Sequence, residues 1–451
     1  MTLVRVLPNV SGLDKEFDYL VPERFADRVG IGTLVRVPLH GRRVGGWVTA
    51  VGPTADAAAD PGADGAVGGK LKEITGVTGH GPAADLLVLA DWAATRWGAR
   101  RRPFLVTASP ERAVTAIPHQ RRTGTRPEPR SPAATGLLAG RPVGDDAGSD
   151  PGSDPGHEDG HDRGGVLRLP PSSDPLPAVL SAVAAGPALV VVPEVDQARL
   201  LAARLRRAGL SVAHVPDEWA AAAGGVDVVV GTRTAAWAPC PGLAAAVVVD
   251  EHDEALQAEG SPTWHARDVV VERCRRVGAG WLLVSPVPTL HAIELGPLMH
   301  PPSDRERRGW PVVDVVDRTG GVPWSRSLVT SELIAHLRDH ERRVVCVSNT
   351  TGRARLLACR SCRALARCER CDAAVAMDDD GRLRCPRCEL VRPLACLECR
   401  GSAFANLRPG VTRLREELEA AAGRPVVAVG GGGGGGRGDG GGTTGDPADA
   451  N

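Results

Sequence analysis

Between residues 359 and 399, eight cysteines fall as four Cys-x-x-Cys pairs: Cys359/Cys362, Cys368/Cys371, Cys385/Cys388 and Cys396/Cys399. Two intervening residues let both thiolates of a tight turn point at one ion, so each pair supplies half of a tetrahedral four-cysteine site. Four pairs make two sites. Regular two-residue knuckles favour zinc over an iron–sulfur cluster. With sulfur in all four positions neither ion keeps room for water or substrate, so the expected role of both is structural. Each would contribute on the order of 10 kcal/mol to folding a segment too small for a core of its own. Spacing leaves three ways of pairing the knuckles. The hairpin-sized loop 372–384 would bring Cys368/Cys371 to Cys385/Cys388, with the outer pairs closing behind. Arg360, Arg363, Arg367, Arg370, Arg382, Arg384 and Arg387 are interleaved with the knuckles, as they would be on a phosphate-facing surface.

The other three cysteines, Cys240, Cys274 and Cys346, are scattered. Clustered pairs in a chain whose N-terminus lacks the apolar core of a signal peptide point to metal rather than disulfides. No run approaches the roughly 18 apolar residues of a membrane helix, so the expectation is a soluble, cytoplasmic protein without membrane contact. The length of 451 residues allows two to four domains. Aromatic residues make up only 3%, so the core must be built mainly from Val, Leu and Ala. Lys+Arg and Asp+Glu both number 54, so overall charge gives no argument for nucleic acid and local patches must supply it.

Residues 3 to 78 read as short strands between turns: Leu3–Leu7, Phe17–Leu20, Leu34–Pro38, Gly46–Val51 and Lys72–Thr78. A helix follows over Ala84–Trp97. Arginine and proline crowd 111–130, and Asp145–Gly165 is an Asp/Gly/Ser/His run, so most of 108–165 reads as disordered linker. His157 and His161 in that run read as solvated rather than metal-ligating. Val/Ala/Leu runs at Ala188–Val192, Val212–Val215, Val226–Val230, Ala245–Val249 and Trp281–Val284 alternate with helical patterns. Such strands imply a parallel sheet covered on both faces. A second α/β unit starts with helix Ser327–His340 and strand Arg343–Val347. The cysteine module interrupts it, and helix Thr412–Ala421 and strand Pro425–Val429 resume it. Seven glycines and Arg-Gly-Asp-Gly-Gly-Gly follow Val429 and read as flexible coil.

Four stretches carry a family resemblance. They are Glu16-Phe17-Asp18-Tyr19-Leu20-Val21-Pro22 with Val35-Arg36-Val37-Pro38; Val228 to Pro239 (VVVGTRTAAWAP); Asp250-Glu251-His252-Asp253 with Trp264-His265-Ala266-Arg267-Asp268; and the cysteine module followed by Gly410-Val411-Thr412-Arg413. In this order and spacing the chain resembles the PriA family of bacterial replication-restart helicases, most closely its shortened actinobacterial form. The resemblance implies a multidomain α/β protein. Residues 1–107 would be a β-rich domain binding DNA 3′ ends, with a helical appendix, and 108–165 a disordered linker or degenerate winged-helix region. Residues 166–300 would be a degenerate helicase-like parallel lobe, and 301–358 the start of a second lobe. The two-zinc module would occupy 359–403, the remainder of a partial second lobe 404–429, and a glycine-rich tail 430–451. In the 3′-end pocket the resemblance assigns Phe17 to base stacking, Asp18 to the free 3′-hydroxyl, Lys72 to the neighbouring phosphate, and the pocket glycine to Gly41, with His40 as the alternative. Stacking and phosphate neutralisation are what those side chains do physically. It also implies nested metal sites, Cys359, Cys362, Cys396 and Cys399 for one zinc and Cys368, Cys371, Cys385 and Cys388 for the other.

The departures bear on mechanism. A helicase of this family needs Gly-x-x-x-x-Gly-Lys-Ser/Thr, whose amides and lysine hold the phosphates. The only lysines are Lys15, Lys70 and Lys72. The expected place, Leu180–Gly186, reads as ordinary helix. Asp250 and Glu251 end a strand where a magnesium-binding pair belongs, and Ser285-Pro286-Val287 stands where the family has Ser-Ala-Thr. The expectation is therefore no catalytic residue. The chain would be a non-enzymatic primosome protein that binds forked or single-stranded DNA and recruits primosome and replisome proteins. An ATP-dependent 3′–5′ helicase with an unconventional nucleotide site, or a zinc-stabilised protein scaffold, are the competing expectations.

Overall fold

The computed structural model describes residues 2–52, 71–124, 126–140, 163–316, 329–347, 357–378, 380–406 and 411–428. They fall into two compact units, Met1–Val313 and Asp314–Asn451. Lys70, most of the Asp145–Gly165 run with His157 and His161, Gly410, Val429 and the glycine tail lie outside the described residues.

The first unit opens with β1 (Thr2–Pro8), β2 (Phe17–Val21), β3 (Leu34–Leu39), β4 (Arg42–Val51) and β5 (Gly76–Gly79), an antiparallel sheet in the order β2-β1-β4-β3-β5. Alternation drives it, since Val4, Val6, Val35, Val37 and Val48 point to one side and pack with Tyr19, Val21 and Ile74. Lys72–Thr78, expected as one strand, instead ties the sheet's two edges together. Leu20 N–H donates to the Lys72 carbonyl (2.9 Å), Ile74 N–H to the Leu20 carbonyl (3.0 Å) and Thr75 N–H to the Arg36 carbonyl (2.8 Å). The sheet thereby closes into a small barrel with no free β2 edge at that point.

Helices α1 (Ala84–Arg96) and α2 (Arg101–Ala108) follow. Few as the aromatics are, they concentrate here. Ring centroids of Trp97 and Phe104 are 6.0 Å apart, Phe104 and Trp237 5.4 Å, Trp237 and Trp264 6.0 Å. This chain of rings packs the helical appendix onto the second half of the unit.

That half comprises α3 (Pro132–Leu138), β6 (Gly164–Arg168), α4 (Leu176–Ala185), β7 (Ala188–Val191), α5 (Val195–Arg207), β8 (Val212–His214) and α6 (Trp219–Gly224), then β9 (Val228–Gly231), β10 (Ala245–Val249), α7 (Ala266–Val277), β11 (Gly280–Ser285), α8 (Leu290–Leu295), β12 (Leu298–Met299) and α9 (Ser303–Gly309). Its seven strands run in the order β12-β6-β11-β10-β7-β9-β8, each neighbouring pair parallel. The Val-rich strands are buried on both faces.

One helix lies where linker was expected, and a strand starts at that segment's end. Helix α3 buries Ala134, Leu137 and Leu138 against the sheet, and β6 sits between β11 and β12 inside it. Residues 111–124 and 126–131 form no helix or strand, yet they lie against the unit through hydrogen bonds such as Arg121 N–H to the Gly225 carbonyl (2.9 Å). Backbone donors, rather than apolar side chains, order this polar stretch.

In the second unit, α10 (Ser331–Arg338) and α11 (Val411–Ala422) bury Leu337 and Leu418. Arg424 donates to the Leu337 carbonyl (3.2 Å) and Arg338 to the Ala421 carbonyl (3.2 Å). Residues 343–347 and 425–428, expected within strands, are not strands. No described neighbour supplies ladder hydrogen bonds, and Val345 and Val347 are 77% and 92% exposed. The cysteine module has β13 (Leu357–Cys359) paired with β17 (Phe404–Asn406), and a small sheet of β14 (Ala376–Met377), β15 (Leu383–Arg384) and β16 (Val391–Arg392).

Candidate nucleic-acid interface and metal sites

Phe17 opens β2 opposite Val6, and its ring packs half-buried against the barrel core. The ammonium of Lys15 stands 6.0 Å from the ring centroid. Successive residues of a strand face opposite ways, so Asp18 points away from that core. There its Oδ1 accepts from Arg5 Nε at 3.0 Å. Lys72 is exposed beside β2, bound through its carbonyl to Leu20. His40 (φ 46°) and Gly41 (φ 77°) are the two central residues of the β3–β4 hairpin, the left-handed pair a type I′ turn demands. That turn explains Gly41 without any ligand. The Tyr19 hydroxyl donates to the Pro38 carbonyl (3.2 Å), tying the base of this hairpin to β2. Phe17, Asp18 and Lys72 thus share one border of the barrel, with the Gly41 hairpin joined to it through Tyr19.

Two groups absent from the sequence reading hold this border. Arg5 pairs with Asp18, and Arg101 of α2 reaches Glu16 Oε1 (2.5 Å), Asp14 Oδ1 (3.2 Å) and Asp91 Oδ1 (3.4 Å). The clamp fixes the approach to Phe17. Burial holds the Asp91 carboxyl above the ordinary range, against the pull of Arg101. Only the alternation of β1 and β2 could have paired Arg5 with Asp18, and nothing local signals Arg101.

The cysteines form two nested clusters, Cys359, Cys362, Cys396 and Cys399, and Cys368, Cys371, Cys385 and Cys388. This selects one of the three pairings that spacing allows. Sulfur separations are 3.4 Å for Cys359–Cys399, 3.5 Å for Cys362–Cys396, Cys368–Cys388 and Cys371–Cys385, and 3.6 Å for Cys371–Cys388. A disulfide would need about 2.05 Å. Four sulfurs about 2.3 Å from one ion stand about 3.8 Å apart, so the clusters fit a tetrahedral thiophilic ion.

The four knuckles are one repeated turn. Arg363 donates its N–H to the Cys359 carbonyl (3.0 Å), Asp372 to Cys368 (2.9 Å), Glu389 to Cys385 (3.0 Å) and Arg400 to Cys396 (3.0 Å). Each first cysteine donates back across the turn, to Ala364, Ala373, Leu390 and Gly401 respectively. The residue after each second cysteine is left-handed, with φ of 65° at Arg363, 57° at Asp372, 58° at Glu389 and 62° at Arg400. In this geometry backbone N–H groups of Cys362 and Ser361 draw the Cys359 thiol down to about 6, and that of Cys388 draws Cys385 to about 6. Cys362 goes the other way, to about 12: against the Ala364 N–H, the Cys399 and Cys396 sulfurs hold its proton. The first sulfur of these knuckles is thus set up as a thiolate. The interleaved Arg360, Arg363, Arg367, Arg370, Arg382, Arg384 and Arg387 are exposed. Arg367 pairs with Asp372 and Arg382 with Asp380, each at 2.6 Å.

In the parallel sheet, Glu251 has no exposed surface. It accepts from Arg267 Nη1 (2.7 Å), the Thr289 hydroxyl (3.0 Å) and the Thr289 N–H (2.7 Å). Asp250 accepts from Gln197 (3.0 Å). A phosphate loop connects a sheet strand to a helix N-terminus. Here the connection that ends beside these acids' neighbouring strand β11 is Leu169–Pro175, from β6 into α4, because β6 pairs with β11. This corrects the expected place, Leu180–Gly186, which belongs to α4 and the turn after it. The loop contains Pro170, Pro171 and Pro175, which lack N–H groups. Ser172 N–H donates to the Gly309 carbonyl (3.2 Å), Ser173 N–H to the Pro170 carbonyl (2.9 Å) and Leu176 N–H to Asp174 Oδ1 (3.0 Å). Helix α9 closes over it, with Arg168 Nη2 paired to Glu306 at 2.6 Å.

Among the described residues no helix is long and apolar enough to cross a membrane. Residues 5–110 match the family model of the PriA 3′ DNA-binding domain. The chain is 28% identical over 258 residues to replication restart protein PriA of Bacillus subtilis, covering 51% of this chain and 32% of that protein. It is 27% identical over 264 residues to replication restart protein PriA of Synechocystis, covering 51% and 32%. It is 27% identical over 460 residues to the probable replication restart protein PriA of Mycobacterium tuberculosis, covering 92% of this chain and 66% of that protein. The matched part is thus about a third of the first two relatives' length. The chain is similar to the PriA replication restart proteins.

Proposed function

We propose that this chain is a DNA-binding replication restart protein that acts by holding DNA and does not hydrolyse ATP. Its ligands would be forked, 3′-ended or single-stranded DNA, and its partners the primosome and replisome proteins it recruits there. The match of residues 5–110 to a 3′ DNA-binding domain supports the DNA-binding half of this reading. Phe17 would stack on the terminal base, Asp18, once turned from Arg5, would accept from the 3′-hydroxyl, and Lys72 would meet the phosphate behind it.

The Leu169–Pro175 connection carries the other half. A phosphate loop works by aiming free amides and a lysine at the phosphates. This loop has no lysine, three prolines, and hydrogen-bonded N–H groups at Ser172 and Ser173. Both oxygens of Glu251 are engaged, Oε2 by Arg267 and the Thr289 hydroxyl and Oε1 by the Thr289 N–H.

We assign one structural zinc to each four-cysteine cluster, on the sulfur spacing and the all-thiolate donor set. Bound there, zinc cross-links knuckles whose own apolar cluster is small. Elemental analysis should find two zinc ions per chain, and chelation should unfold residues 357–406. One preparation tests the main reading: fluorescence anisotropy on a fork with a free 3′ end and on a blunt duplex, alongside DNA-stimulated ATP turnover. Preference for the fork without turnover supports it. Equal affinity for both DNAs sinks the 3′-end reading, and turnover abolished by Glu251→Gln replaces it with an unconventional ATPase.

A further inference from the structure

Residues 111–130 carry five arginines against two glutamates in a chain whose charges cancel overall. The stretch is pinned to the first unit along its backbone. His80 N–H, at the end of β5 in the barrel, donates to the Val114 carbonyl (2.7 Å). The Pro118 carbonyl lies so close to Gly224 that a Cβ there would be 2.4 Å from it. Arg121 N–H reaches Gly225, and Thr123 N–H reaches both Asp227 carboxylate oxygens (3.2 and 3.3 Å). Arg130 and Ser131 N–H groups converge on the Ser181 hydroxyl (3.1 and 2.9 Å).

The backbone is spent on the protein and the charges are left to solvent. Arg112, Arg121, Arg126 and Arg130 are exposed, and no carboxylate pairs with them among the described residues. Arg122 is engaged with the Pro241 carbonyl. Cations spaced at intervals of five and four residues from Arg121 to Arg130 can each reach a different phosphate of a nucleic-acid strand. The stretch has no Phe, Tyr or Trp to stack on a base, so it would read charge more than sequence.

We propose that this arginine strap is a second DNA contact, binding the phosphate backbone of one strand as it passes between the barrel and the parallel-sheet half of the unit. The inference rests on the DNA-binding reading above, and goes beyond it by naming a surface outside the barrel and the cysteine module.

The test compares the full zinc-loaded chain with a variant carrying Arg121→Gln, Arg126→Gln and Arg130→Gln, and with the matching triple Lys variant. The probe is a labelled oligothymidine of about 30 nucleotides. Three lost phosphate contacts should lower the slope of log K against log salt by about 2 and weaken binding roughly tenfold or more. The Lys variant should restore the slope. The thermal midpoint should stay unchanged, since the three side chains are exposed. Wild-type binding with an unaltered slope in the Gln variant overturns the strap and leaves the barrel reading standing. No binding by wild type overturns both. Loss of a poly-glutamate contact with DNA binding intact would hand the surface to an acidic protein and overturn the proposal.

Discussion

Arg267 donates through Nη1 to Glu251 Oε2 at 2.7 Å, and both groups are buried, Glu251 being 0% and Arg267 7% exposed. The acid that would assist catalysis in a nucleotide site here fastens α7 to the end of β10. Removing one partner of a buried pair leaves an uncompensated charge. Glu251→Ala should therefore lower the unfolding free energy by about 3–5 kcal/mol, read from denaturant titration, with DNA affinity at the barrel little changed. A loss under about 1 kcal/mol would deny the pair its structural role.

His265 caps the same helix, its Nδ1 accepting from Arg267 N–H at 3.1 Å. Burial first, and then the Arg267 charge, push it down to about 4. A depressed pKa means that the fold favours the neutral ring. Its contribution is whole above the unfolded value near 6.5 and is lost as pH falls from there toward 4. The thermal midpoint should drop over that window, and should drop less in His265→Asn, which keeps a capping side chain without the titration.

Glu389 holds φ at 58° after Cys388, a conformation that costs an ordinary residue roughly 1–2 kcal/mol. Glu389→Gly should stabilise the module by up to about 1 kcal/mol and keep both zinc ions. Glu389→Ile should destabilise it and release metal at lower chelator concentration. Equal behaviour of the two variants would mean that the turn carries no strain.

At the barrel border, Asp18→Ala should remove the preference for a free over a blocked 3′ end, whereas Phe17→Ala should weaken binding of either end at a stacking cost of about 1–3 kcal/mol with the salt slope unchanged. Lys72→Ala should weaken free and blocked ends alike and lower the salt slope by about 1. If the Phe17 and Lys72 variants behaved alike, the division of roles between ring and ammonium would be wrong.

Much of this was legible in the sequence, for identifiable reasons. The Val runs at Ala188–Val191 and Ala245–Val249 are central strands because they are apolar on both faces. The four Cys-x-x-Cys pairs announced both metal clusters, though only the folded hairpin chose their partners. Strand β6 was hidden by Gly164 and Gly165. The Trp281 ring lies where a Gly164 Cβ would be, 2.3 Å from it, and Gly165 is crowded by Pro297 and Leu137. Glycine weakens a strand signal where close packing demands it. Losing β6 also displaced the expected phosphate loop by a helix. The arginine stretch looked like linker because its order comes from backbone hydrogen bonds, which leave no apolar pattern to read.

The most direct test of holding without turnover is a single-turnover unwinding assay on a labelled fork, run with the zinc-loaded chain in the presence of ATP and magnesium, with anisotropy recorded on the same sample. Salt-sensitive binding with the duplex left intact is the expected result. Strand separation that requires ATP and stops with a non-hydrolysable analogue would contradict it.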